Sequence, residues 1–284
     1  MYELQLKTLS EKARPWCHAR LGFPAKSGDS RSSSEGADLA ATRSSQGDCV
    51  LFNALLTYAG VPEAAGYTPL CIALDGRPVR SPDLVDLPPE TDGFSKDMLL
   101  GVLLWTLVTR NPAPLERLIG YVNKTGCLCP KSSDRRCTLT PQMTYLTNQV
   151  AKAVGCDSRL KSDWMPGWLF AALEIASALV TPLGYQCHLI SVKSLIVRLL
   201  GKESQLVPAT LAHRDSANPW FLFLAGRHDQ AAQTVLSMRV QPGRGHQWAW
   251  ERDSKERAWH DSMGWDLLFI TNLLMGEKGP LDER

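Results

Sequence analysis

The chain has 284 residues, 44% of them hydrophobic and 21% charged, with 31 Lys and Arg against 29 Asp and Glu. That balance excludes a globally disordered chain, and a formal charge of +2 is too small for a nucleic-acid binder working through counterion release. The length supplies one large domain or two small ones, with material for a sizeable core.

The first residues carry Glu3, Lys7, Glu11, Lys12 and Arg14, so no apolar secretory core forms there. Residues 1–25 are read as an N-terminal arm holding a short helix. Residues 26–47 contain seven serines in 22 positions, a composition that buries little and reads as a flexible linker. An all-α domain is expected over 48–276, and 277–284 form a C-terminal tail.

Helical signals dominate that domain. Cys49–Ala59 is apolar on a broad face and meets Gly60 and Pro62, the usual terminators. Leu70–Glu90, rich in Pro, Asp and Gly, reads as a decorated loop with a small hairpin at Asp75-Gly76. In Ser95–Thr109, Ser95 is the expected N-cap and Asp97 sits in the first turn. Met98 to Val108 is apolar nearly all round, which predicts burial on every side. Pro112–Lys124 is a more amphipathic partner, so the two form a hairpin. Further helices are expected over Pro141–Val154, Pro166–Val180, His188–Leu200, Asn218–Leu224, Gln230–Met238 and Ser262–Met275. The uncharged stretch Ile175–Val192 is broken by Pro182 and Gly184, so it reads as two segments with a turn rather than a membrane span.

Three helix starts share one construction. They are Asp92-Gly-Phe-Ser-Lys-Asp97, His213-Arg-Asp215-Ser-Ala-Asn-Pro219 and Asp261-Ser-Met-Gly-Trp-Asp266. Capping and helix-dipole compensation account for the first acid in each, but not for the second, Asp97 or Asp266. A buried helix opening with Phe94-Ser95-Lys96-Asp97 inside a series of helical hairpins resembles the (α/α) toroid glycosidases and related polysaccharide-processing enzymes. The resemblance runs over roughly Asp92 to Met275 through short motifs. It implies a full or partial toroid-like array whose helix ends surround a cleft lined with acids and aromatics.

Residues Trp248 to Asp266 read WAWERDSKERAWHDSMGWD and hold four of the nine tryptophans. Indole faces stack on sugar rings, and Trp248, Trp250, Trp259, Arg252 and His260 are the candidate substrate-binding residues for a polysaccharide or oligosaccharide. The same tryptophans could equally fill a helical core. Glycoside hydrolysis needs two carboxyl groups flanking the scissile bond, one of them holding a proton. Burial beside an indole would favour that proton. Asp97 and Glu251 are the first candidate pair, with Asp261 and Asp266 as substitutes. A lyase would use the same groove, with His246, His260, Arg244 and Arg252 as base and cations.

The eight cysteines are Cys17, Cys49, Cys71, Cys127, Cys129, Cys137, Cys156 and Cys187. Without an export signal they point to a reducing compartment, and the cytoplasm is expected. Cys127, Cys129 and Cys137 cluster, but the C-x-C spacing is not a zinc knuckle, so neither a metal nor a cofactor is expected. Cys49 opens a helix, where a thiol can be activated, without a histidine context to use it. The rival to a carbohydrate-active enzyme is a non-catalytic helical binding or structural protein of a larger assembly, such as a virus particle.

Overall fold

Why Lys96–Thr109 becomes a helix, and where it goes, follows from one property: from Met98 to Val108 every residue is apolar, glycine or threonine, and every one is buried. The computed structural model places this helix at the centre of a unit formed by residues 19–170. A second unit comprises Met1–His18 and Ala171–Arg284. The structure describes residues 2–17, 19–20, 23–24, 49–86, 94–128, 139–161, 163–202, 205–238, 240–241, 245–246, 248 and 264–276. The serine-rich 26–47, the tail 277–284 and most of the tryptophan-rich segment lie outside the described residues.

The chain begins with α1 (Glu3–Ala13). In the 19–170 unit it continues as α2 (Cys49–Tyr58), the single turn α3 (Tyr67–Leu70), α4 (Lys96–Thr109), α5 (Ala113–Thr125) and α6 (Pro141–Ala153). Gly101 lets α4 lie directly on α2: a Cβ there would sit 2.6 Å from the Leu51 backbone. Trp105 Nε1 donates to the Ala65 carbonyl at 2.7 Å, and Asn53 Nδ2 donates to the Pro24 and Cys49 carbonyls. The expected hairpin is present, α4 turning into α5 through Arg110 in the left-handed region. The small turn at Asp75-Gly76 also forms, with an antiparallel bridge between Ile72 and Pro78. Asn148 clamps the loop after α6, donating to the Leu160 carbonyl and accepting from the Leu160 amide.

The helix α7 (Gly167–Val180) carries the chain from one unit into the other. There follow α8 (Tyr185–Leu199), α9 (Leu206–Arg214), α10 (Pro219–Leu224), α11 (His228–Ser237) and α12 (Trp265–Leu274). In this second unit α12 is buried from Trp265 to Leu273 and packs on α1 and α11. Trp220 Nε1 donates to Ser191 Oγ at 2.7 Å, and its ring meets Phe269 edge-on at 5.1 Å. Asn218 caps α10 by accepting from the Trp220 and Phe221 amides.

The protein is thus mostly helical, and the described residues include two antiparallel ribbons of two-residue strands: Ala19–Arg20 with Phe23–Pro24, and Val240–Gln241 with Gly245–His246. Among the described residues no helix is long and apolar enough to cross a membrane. Two local expectations need correction. Ser95 occupies the N-cap position of α4, but its side chain makes no capping bond. The run His213–Pro219 does lead into a helix, α10, through the Asn218 cap, but His213 and Arg214 themselves are the last turn of a separate helix, α9, whose Pro208 is accommodated in the first turn.

Candidate functional site

Asp97 lies in the first turn of α4, half-buried, in the 19–170 unit. Asp266 is the second residue of α12, fully buried, in the other unit. Trp248 is buried as well. Trp265, beside Asp266, is buried with the Arg14 guanidinium over its ring at 6.0 Å, so that indole already stacks on a cation of its own chain. Trp250, Glu251, Arg252, Trp259, His260 and Asp261 lie outside the described residues. The indoles that the structure does describe in this segment are therefore core, closed to a sugar ring.

Other chemistry-bearing groups are also packed away. Burial pushes the Tyr67 phenol far up, and the neighbouring Cys71 and Cys49 thiols add to the effect while a hydrogen bond with Ser81 opposes it. Burial pushes the Cys156 thiol up to about 11, with Glu116 adding to it. Cys187 is pushed up by burial against the opposing pull of Arg214, which donates to the Ala178 carbonyl at 2.6 Å. The described cysteines carry thiols rather than disulfides. Among the described residues no group of His, Cys, Asp and Glu side chains could hold a metal ion. Cys129 and Cys137 lie outside them.

The feature that stands apart is α7. Its sequence, GWLFAALEIASALV, carries one charge, Glu174. In an ordinary surface helix that charge would face water. Here Glu174 is buried and accepts from Lys193 Nζ of α8 at 2.6 Å. Phe170 and Ala178, one turn either side, are buried with it, and Phe170 meets the Tyr145 ring at 5.0 Å. The opposite face is apolar and open: Trp168 is 73% exposed, Leu179 58% and Val180 78%, with Ala172 and Ala176 exposed between them. By comparison, α5 is oriented conventionally, burying Leu115, Leu118, Ile119 and Val122 while Lys124 faces out.

The sequence marks α7 as a helix over Pro166–Val180 but does not show which of its sides is buried. The usable signal was Glu174 in mid-helix with a lysine 19 positions on, in the next helix. A buried charge needs a partner, and fixing Glu174 inward turns positions 168, 172, 176 and 179 outward.

No protein-family model, no curated protein and no solved structure matches this chain.

Proposed function

We propose that this chain is a non-catalytic helical protein that works as a component of a larger assembly through the outer face of α7. One observation carries the reading: the helix turns its single charge into the protein and its tryptophan, leucine and valine toward water. Isolated exposed apolar residues are ordinary, but contiguous patches of several hundred Å2 mark interaction sites. The test is the size at which the chain migrates in extract from producing cells. The wild type should run well above its mass of 31.4 kDa, and a Trp168→Ser/Val180→Asp variant should run at that mass. A wild type at monomer mass would overturn the reading.

A second reading is a glycoside hydrolase, or a lyase, acting on a polysaccharide from a full or partial (α/α) toroid-like array. Its support is the placement of Asp97, half-open at the first turn of a helix that is otherwise buried. In this reading Asp97 and Glu251 are the acid and base, with Asp261 and Asp266 as substitutes and Trp250, Trp259, Arg252 and His260 holding sugar. A glycan panel decides it. Cleavage by the wild type that is lost in Asp97→Asn with folding intact would establish it, and no cleavage of any glycan would remove it.

A further inference from the structure

Resting on the reading that the outer face of α7 is covered when the protein works, we infer that its occupant is the same face of a second copy, laid antiparallel about a two-fold axis beside position 174. At 3.6 residues per turn, Trp168, Leu179, Ala172, Ala176 and Val180 share a stripe about 120° wide. Phe170, Glu174 and Ala178 lie opposite and are buried. All the pairing positions belong to one continuous helix, so its own geometry sets their spacing.

The stripe is close to a palindrome in side-chain size. Antiparallel pairing about position 174 sets Trp168 opposite Val180, Leu169 opposite Leu179, and Ala172 opposite Ala176. Small residues then meet at the centre, where two helices approach most closely, and large ones meet at both ends. An isologous two-fold contact requires this self-complementarity. Gly101 provides the same kind of close helix approach inside the 19–170 unit.

Charge and area point the same way. The face carries no ionisable group, so a charged partner would bury its charge uncompensated, whereas a second copy brings none. The exposed fractions of Trp168, Leu179 and Val180, with the alanines between and Leu173 at the edge of the stripe, amount to roughly 600 Å2 per copy. Two such faces together reach the lower end of the range for specific, stable interfaces. The expected product is a dimer that dissociates on dilution.

Sedimentation of the purified full chain over a concentration series tests this. The wild type should form dimers in the micromolar range. Ala172→Glu and Ala176→Lys, each alone, should weaken the dimer at least about tenfold, with circular dichroism and melting unchanged. The two together should restore it, because the axis sets the new carboxylate of one copy opposite the new ammonium of the other. If either single variant fails to fold, Trp168→Ser takes its place in showing loss of the dimer. A wild type that stays monomeric to roughly 100 μM overturns the second copy. If that monomer still migrates above chain mass in cell extract, the assembly reading survives; if it does not, both fall. A dimer that the double variant fails to restore overturns the antiparallel register.

Discussion

At Gly101 the missing side chain is what lets α2 and α4 touch. A methyl group there would meet the Leu51 Cα and N at 2.6 Å and the Val50 carbonyl carbon at 2.7 Å, backbone atoms that cannot turn aside. Gly→Ala inside a helix ordinarily gains about 0.5–1 kcal/mol; Gly101→Ala should instead lose at least about 2 kcal/mol through overpacking. Denaturant titration reads the sign, and a stabilised variant would contradict the packing. Cys156, held up at about 11 by burial, should be alkylated at pH 8 on the order of a hundredfold more slowly than in the unfolded chain. The sign for stability follows: an acid raised on folding supports the fold below its unfolded value and loses that support as pH climbs toward 11. Equal alkylation rates in native and unfolded chains would rule this out. Residue roles were the least legible part of the sequence. Nothing near Gly101 in the chain names Leu51 as its neighbour, and Trp248 reads as a binding residue until its burial is seen.

Among elements, α4 and α7 look alike in sequence and differ in fate. Both are apolar almost all round, a pattern that ordinarily marks burial on every side. It holds for α4, buried on every side, and fails for α7, which has a wet face of apolar residues. The boundaries of both were legible, from Ser95 and Asp97 in one case and from Pro166 and Pro182 in the other. What periodicity lacks is a direction, and for α7 the Glu174–Lys193 pair supplies it. Lys193→Met alone should cost about 3 kcal/mol by stranding a buried carboxylate, while Glu174→Leu/Lys193→Met should stay within about 1 kcal/mol of wild type. Thermal or chemical denaturation measures both. A harmless single variant would mean that the pair does not fix the helix. The helix α9 is not among the expected ones: its last two residues, His213 and Arg214, group in sequence with the start of the next helix, and its Pro208 sits in a first turn, where proline is tolerated.

On the scale of the whole molecule, the all-α class was legible because helix stops recur along the chain: Gly60, Gly126, Gly155, Gly201, Gly226 and Gly276 all adopt positive φ. The division into two units was not, since α7 crosses it without a linker composition to mark it. Nor could the sequence join Asp97 to the acids around Trp248–Asp266, because convergence of distant residues is a tertiary fact. One uncovered helix face is decisive instead, and hydroxyl-radical labelling of Trp168 reads its state, with fully buried Trp220 as an internal standard. Trp168 should be oxidised readily in the dilute purified chain and protected in the producing cell, while Trp220 is protected in both. Equal labelling of Trp168 in the two settings would contradict the account.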